Sequence, residues 1–379
     1  MLKRISFSVA MLLVAVAFVV PASGSSRHIL VGIFDDAQII GFPAKTFPIL
    51  SSLRAQVLRV TLPWGGSNGV ALKKPKNPRD PGDPAYNWTK YDVAVESAAK
   101  ANIKIIFGIG GTPSWANERR KPNRVPTTKN FHYLKDFAYA AATRYSGEYK
   151  RKDGKVLHAV RYWLAWNEPN NPVFLYPQYL KVGRKRWVIQ SARSYAKICK
   201  AIYDGVHGTH LNGETVGCGA TSPRGNDNPR NVRPSPDPLV FLRALKKAGL
   251  KKFDVYAHHP YYGLRKQKPS TKPERKSVRM GNLGSLTKLL GRLYGKKHLW
   301  ITEYGYQTNP PDRVFGVSWK NQARYLAQAY ALARRNPRVD MLVWFLVRDE
   351  SRLAGWQSGF LTAAGRKKPA FTTFQRLPH

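Results

Sequence analysis

Short runs of β-branched or aromatic residues alternate with amphipathic segments along almost the whole sequence. Eight of these runs have the character of β-strands: 29–34, 57–62, 103–109, 159–166, 215–220, 253–258, 298–302 and 339–346. Seven intervening segments have the apolar spacing of helices, and a weaker helix follows Pro369: 44–55, 88–101, 131–145, 187–206, 238–248, 283–294 and 319–335. Strands that alternate with helices form a parallel sheet covered by helices. The sequence therefore predicts an α/β protein.

A closed (β/α)8 TIM barrel and an open doubly wound sheet both satisfy this alternation. An open sheet that binds a dinucleotide carries spaced glycines directly after its first strand. Here the glycine-rich stretch 108–111 follows the third strand instead, lacks that spacing, and is followed by Pro113, which interrupts the expected helix start. Eight units over roughly 350 residues fit a barrel with insertions. We therefore predict one TIM barrel over residues 25–379, with no appended module.

The connections that leave the strands are longer than those that return to them. Long segments follow the second, third, fifth and sixth strands: 63–87, 110–129, 222–237 and 260–282. In a barrel these segments all lie on the C-terminal face, where active sites are built. They are rich in Pro, Gly, Asn, Lys and Arg, so the rim of any cleft is predicted to be basic.

The N-terminus has the features of an export signal. Lys3 and Arg4 precede an apolar run over 5–20, and small residues at 21–24 suit cleavage by a signal peptidase. The alternative is an uncleaved anchor, but the run is shorter than the roughly 20 residues that a spanning helix needs. We predict a signal peptide over 1–24 and a secreted, extracellular protein with no membrane segment after cleavage.

The charge balance is strongly basic. The chain has 63 Lys and Arg against 22 Asp and Glu, a formal net charge of +41. Such a surface attracts polyanions. The basic clusters carry few interleaved aromatics, so a specific nucleic-acid surface is not indicated. We expect nonspecific binding to anionic envelope polymers, and the sharper alternative is that the substrate itself is an acidic polymer.

The two cysteines, Cys199 and Cys218, have no metal-ligand spacing around them. Export permits a disulfide. Helical and strand rises place both residues at a similar height above the turn that joins the predicted helix and strand. A disulfide and two buried free thiols both fit the sequence.

Two acidic residues differ from the rest because each ends an apolar strand. Glu168 ends the fourth strand and Glu303 the seventh, so both are predicted to face the mouth of one barrel. A strand-end glutamate on its own could be a helix cap or an ion-pair partner. Two together can cleave a glycosidic bond, in which one group protonates the leaving oxygen and another attacks the sugar carbon.

The stretches 166–170 (WNEPN) and 301–305 (ITEYG) resemble the acid/base and nucleophile motifs of retaining glycoside hydrolases of clan A. The resemblance covers most of the mature chain, and segment 111–116 is weakly similar to members of families 39 and 5. The resemblance to clan A implies a TIM barrel, a carbohydrate substrate, Glu168 as acid/base and Glu303 as nucleophile. Retention of configuration requires carboxyl groups roughly 5 to 5.5 Å apart.

The resemblance also implies five substrate-binding residues. Arg59 matches the arginine beside the nucleophile, and Asn167 the residue that binds the sugar 2-hydroxyl. His259 and Tyr261 match the pattern of the sixth strand, and Trp344 is similar to the tryptophan of the eighth strand that forms the floor under the sugar.

Other tryptophans lie at or just beyond strand ends, where a flat ring could stack on a sugar. Trp64 and Trp115 are taken as substrate-binding candidates, and Trp356 has a similar position. Ordinary packing is the alternative for each, and a core role is expected for His258. We predict a monomer without metal or organic cofactor. The alternative from another class is a barrel that binds glycans or polyanions without catalysis.

Overall fold

The eight predicted strands form one closed parallel barrel. The computed structural model of the protein describes residues 28–184, 186–263, 267–273 and 277–378, so the predicted signal peptide 1–24 lies outside the described residues. The barrel strands are β1 (Leu30–Phe34), β2 (Val57–Pro63), β3 (Lys104–Gly110), β4 (Tyr162–Ala165), β7 (Thr215–Thr221), β8 (Val255–His258), β9 (Leu299–Tyr304) and β10 (Val339–Phe345). Neighbouring strands pair in chain order, and β1 closes on β10. The TIM-barrel prediction is confirmed.

Helices cover the outside of this barrel. They are α1 (Asp36–Gly41), α2 (Pro43–Ser52), α3 (Thr89–Lys100), α4 (Phe131–Arg144), α5 (Gln190–His207), α6 (Pro238–Lys247), α7 (Leu283–Tyr294), α8 (Trp319–Arg335) and α9 (Pro369–Gln375). All the predicted helices are present, and α1 was not predicted.

The predicted start of the helix at 187 is wrong. Residues Trp187–Ile189 form strand β6, which pairs antiparallel with strand β5 (Tyr179–Lys181), and α5 begins only at Gln190. Tryptophan, valine and isoleucine favour strands when a partner is available. The result is a two-stranded ribbon in the connection that follows β4.

Side chains alternate between two apolar layers, as strand geometry requires. The barrel interior is filled by a cluster of nine buried residues: Val57, Ile106, Leu164, Ala220, Val255, Ala257, Trp300, Met341 and Val343. A larger cluster lies between the strands and the helices, and it includes Trp64, Trp163 and Trp344. The layer to which a strand-end residue belongs decides whether it can face the mouth of the barrel.

Asp35 closes the seam between the first and last strands at the C-terminal edge of the barrel. Its Oδ1 accepts a hydrogen bond from the N–H of Gln38 (3.1 Å) and so caps α1. Its Oδ2 accepts from the N–H groups of Val347 (3.0 Å) and Arg348 (3.2 Å), directly after β10. Burial raises the pKa of this carboxyl to about 6. The loop that follows β10 is thereby tied to the junction between β1 and α1.

Cys199 on α5 and Cys218 on β7 form a disulfide, with their Cα atoms 6.0 Å apart. This decides between the two alternatives that the sequence left open. Within the described part of the chain, no helix is long and apolar enough to cross a membrane.

Candidate active site

Glu168 lies in a backbone segment of unusual conformation directly after β4. Trp166 (φ 65°) and Glu168 (φ 34°) both occupy the left-handed region. The N–H of Trp166 donates to the carbonyl of Ile109 (2.7 Å) and that of Glu168 to the carbonyl of Ala220 (2.9 Å). Such conformations cost on the order of 1 to 3 kcal/mol each and cluster at functional sites. The bonds to β3 and β7 hold this one in place.

Glu303 is directed into the barrel mouth by a β-bulge. Between two paired positions, Ile301 with Leu342 and Tyr304 with Trp344, β9 contains one residue more than β10. A bulge re-aims the side chains beside it. Ile301 and Tyr304 therefore both lie in the outer core layer, while Glu303 between them reaches the mouth.

Two donors hold the carboxylate of Glu303, one on each oxygen. Arg59 Nη1 donates to Oε2 (2.8 Å) and the hydroxyl of Tyr261 donates to Oε1 (2.9 Å). Arg59 also donates through Nη2 to Oδ1 of Asn167 (2.6 Å), and its guanidinium lies 4.2 Å above the ring of Phe34. The two hydrogen bonds fix the orientation of Glu303. Three residues predicted from the sequence thus belong to one network: Arg59 and Tyr261 contact Glu303, and Asn167 contacts Arg59.

His259 joins the two glutamates. Its Nδ1 lies 3.1 Å from Oε1 of Glu168 and 3.8 Å from Oε2 of Glu303. These two carboxylate oxygens are therefore no further apart than the sum of the two distances, about 7 Å. This bound on one pair of oxygens is compatible with the roughly 5 to 5.5 Å between the carboxyl groups of retaining glycosidases.

The protonation of His259 follows from its neighbours. Burial lowers its pKa to about 3, so the ring is neutral. Its Nε2 lies 3.2 Å from Arg59 Nη1 and 3.1 Å from Thr302 Oγ1. Because a guanidinium can only donate, Nε2 accepts, and the ring hydrogen is on Nδ1. His259 therefore donates a hydrogen bond to Glu168.

Burial raises the pKa of Glu168 to about 7, while a hydrogen bond from Asn171 and the charge of Arg59 act in the opposite direction. Asn171 Nδ2 donates to Oε2 of Glu168 at 2.9 Å. A carboxyl group with this pKa can hold a proton near neutrality, as a general acid must.

Trp344 does not form the floor predicted for it. It is fully buried in the outer layer, where it stacks on Phe360 and donates from Nε1 to the carbonyl of Ser358 (2.9 Å). The side chains of β10 alternate from Met341, which points into the barrel, and Trp344 therefore faces the helices. Trp356 lies at the mouth instead, with its ring 5.4 Å from that of Tyr261 and 5.2 Å from that of Phe345.

The prediction that Trp64 stacks on a sugar is also wrong. It is fully buried, and its ring packs against Trp115 (5.7 Å) and Phe137 (6.3 Å). Trp115 is partly buried and donates from Nε1 to the carbonyl of Ala71 (2.9 Å). A substrate contact of Trp115 stays a prediction. The core role of His258 is confirmed, since it is fully buried and lies 3.0 Å from the carbonyl of Val278.

Sequence reasoning missed two polar residues of the site. Asp36 follows β1, its Oδ1 accepts from the N–H of Thr61 (3.0 Å), and burial raises its pKa in the neighbourhood of Arg59 and Glu303. It carries the same signal as the glutamates, an acidic residue just after an apolar strand. Asn171 lies one residue beyond the motif that drew attention to Glu168. Among the described residues, no group of three or more His, Cys, Asp or Glu could hold a metal ion.

No protein-family model and no curated sequence matches the chain. Among solved structures it resembles a family 39 glycoside hydrolase from Bacteroides cellulosilyticus WH2, with a TM-score of 0.61 and 19% identity over 93% of this chain and 63% of that one. The chain thus spans less than two thirds of that enzyme. It also resembles a GH53 catalytic domain from Ignisphaera aggregans, with a TM-score of 0.56 and 14% identity over 94% of this chain and 98% of that one. A third similar structure is a family 1 β-glucosidase from Thermotoga maritima, with a TM-score of 0.56 and 12% identity over 92% of this chain and 97% of that one. These likenesses establish the fold.

Proposed function

We propose that the protein is a secreted retaining glycoside hydrolase, with Glu168 as acid/base and Glu303 as nucleophile. The observation that carries the proposal is the unequal environment of two neighbouring carboxyl groups. Glu168 is buried with its pKa raised to about 7, whereas Glu303 accepts hydrogen bonds from Arg59 and Tyr261. Retaining hydrolysis needs this pairing of a protonated acid with an ionised nucleophile.

In the first step an oxygen of Glu303 attacks the anomeric carbon while Glu168 gives its proton to the leaving oxygen. The bond to the leaving group breaks, and a glycosyl ester of Glu303 forms. Arg59 and Tyr261 keep Glu303 oriented, and the hydrogen bond from His259 orients Glu168.

In the second step Glu168, now ionised, takes a proton from water as the water oxygen attacks the same carbon. The ester bond breaks, Glu303 regains its charge, and the sugar leaves with its original configuration. Asn167, which is held by Arg59, would bind the sugar 2-hydroxyl during both steps.

The cation beside the two glutamates favours a neutral sugar at the bond to be cleaved. The guanidinium of Arg59 is already engaged by Glu303 and Asn167, so it is not available to hold a uronate at that position. Acidic groups elsewhere on the substrate, and nonspecific binding to envelope polymers, remain predictions from the net charge, and such binding should weaken steeply with salt.

Export is supported by the apolar N-terminal run and by the Cys199–Cys218 disulfide, because disulfides persist in oxidising compartments. The alternative of a glycan-binding barrel without catalysis would be favoured by a missing carboxylate. Both carboxylates are present and bridged by His259.

The test is a screen of the purified protein on neutral and acidic glycans, with the configuration of the first product followed by NMR. Glu303→Gln should lower turnover at least about a thousandfold, because it removes the nucleophile. Glu118→Gln, at an exposed acidic residue, is the matched control and should be neutral. Undiminished hydrolysis by Glu303→Gln would remove Glu303 as nucleophile, and an inverted product would refute the retaining mechanism.

A further inference from the structure

Four apolar side chains are exposed on the connection that leaves β4, directly after the proposed acid. They are Val173, Phe174, Tyr176 and Leu180, with 52%, 37%, 39% and 46% of their surfaces accessible, and we call them the apolar rim. Clustered exposed apolar residues mark binding surfaces more often than scattered ones do.

The backbone of the apolar rim is fixed by hydrogen bonds. Trp166 Nε1 donates to the carbonyl of Phe174 (2.8 Å), and the N–H of Tyr176 donates to the carbonyl of Asn123 (2.8 Å). The side chain of Asn123 donates in turn to the carbonyl of Pro172 (3.2 Å). The backbone that carries the exposed rings is therefore held in place by the third and fourth strand connections, as a preorganised binding surface requires.

The apolar rim begins next to Glu168. Asn171 donates from Nδ2 to Oε2 of Glu168 (2.9 Å), and its Oδ1 accepts from the N–H of Val173 (3.1 Å). The two hydrogen bonds are joined by the side-chain amide of Asn171, so the backbone nitrogen of Val173 lies within about 8 Å of Oε2 of Glu168. Since the acid protonates the leaving oxygen, the departing part of the substrate lies on this side.

The composition of the surface indicates what departs. Phe174 and Tyr176 offer flat rings, and the guanidinium of Arg124 lies 4.1 Å from the ring centre of Tyr176. Rings that stack on C–H groups, beside guanidinium and amide donors for hydroxyls, are the elements that recognise a pyranose. We propose that the apolar rim binds the first sugar beyond the cleaved bond, so that the substrate is a saccharide chain. This inference rests on the proposed hydrolase function.

The experiment compares three substrates that share one transferred sugar, in the β-glucosyl, β-xylosyl and β-galactosyl series. They are the glycosyl fluoride, the 4-nitrophenyl glycoside and an oligosaccharide. Fluoride departs without occupying the apolar rim. Phe174→Ala and Tyr176→Ala should each lower kcat/KM on the oligosaccharide about tenfold, less on the aryl glycoside, and leave the fluoride within about twofold. Phe174→Tyr keeps a flat ring, so it should show the kcat/KM on the oligosaccharide that Phe174→Ala loses. Phe42→Ala removes a more exposed ring outside the apolar rim and is the matched control.

Several outcomes would overturn the inference. An equal or larger loss on the aryl glycoside would assign the surface to an apolar aglycone, and no loss on any substrate would remove the apolar rim from binding. A parallel loss on the fluoride would mean that the substitutions act on the whole site. If the unaltered protein hydrolyses none of the fluorides and none of the glycans of the screen described above, the proposed function itself fails.

Discussion

The hydrogen bond from Asn171 to Glu168 should set the alkaline limit of activity. The pKa of Glu168 is about 7, raised by burial and partly restrained by Asn171. The donor favours the charged carboxylate, so Asn171→Ala should raise this pKa further. Glu168 would then hold its proton to higher pH, and the alkaline limb of the rate profile should move upward.

The size of the shift follows from the single contact of 2.9 Å. A hydrogen bond to a charged group contributes about 1.5 to 3 kcal/mol, and water replaces part of it because Asn171 is only partly buried. The part of the hydrogen-bond free energy that water does not replace is about 1.4 kcal/mol, which corresponds to a rise of about one unit in the pKa of Glu168. The limb should therefore move from about pH 7 to about pH 8.

The assay is kcat/KM against pH on a substrate with a poor leaving group, for which the proton of Glu168 is needed. Asn123→Ala is the matched control, since its amide bonds to the carbonyl of Pro172. It should leave the limb in place. A limb that stays at its original pH in Asn171→Ala, or moves to lower pH, would refute the assignment of Glu168 as the titrating acid.

Three further predictions concern single contacts. Replacing Cys199 and Cys218 by serine should lower the free energy of unfolding by about 3 kcal/mol, the loop entropy of a 19-residue separation, measured by urea denaturation. Lys368→Met should destabilise the fold by about 3 to 5 kcal/mol, because it leaves the buried Asp349 without its ion-pair partner (2.7 Å). Adding Asp349→Leu should recover much of that loss, and no recovery would contradict the ion-pair explanation. Glu168→Ala should regain turnover of an activated aryl glycoside when azide is added, with a glycosyl azide as product, and hydrolysis without azide sensitivity would argue against its role.

The barrel and its two glutamates could be predicted because both depend on local pattern. A strand buried on both faces must be an apolar run, and an acidic residue at its end then stands out. Asn167, Arg59, His259 and Tyr261 lie in or next to similar runs. The structure brings all four into the hydrogen-bond network of the glutamates.

The facing of the aromatic residues could not be predicted, because it depends on register. β10 has one residue more than β9 between Val339 and Met341, and this irregularity sets which of the following β10 side chains point into the barrel. No local signal in the sequence marks it. Trp344 therefore falls in the outer layer, and Trp356 reaches the mouth from a loop. The predicted start of α5 was wrong for another reason: the apolar run Trp187–Ile189 fits the start of a helix, but the chain turns back within a few residues and pairs this run with Tyr179–Lys181.

The left-handed backbone at Trp166 and Glu168 means that the site is built against the conformational preference of its own residues. Glycine or asparagine at position 168 would relieve that conflict and remove the acid. Variants chosen only for resistance to heat should therefore drift toward such residues and lose turnover, so directed evolution of this barrel needs activity in every round of selection.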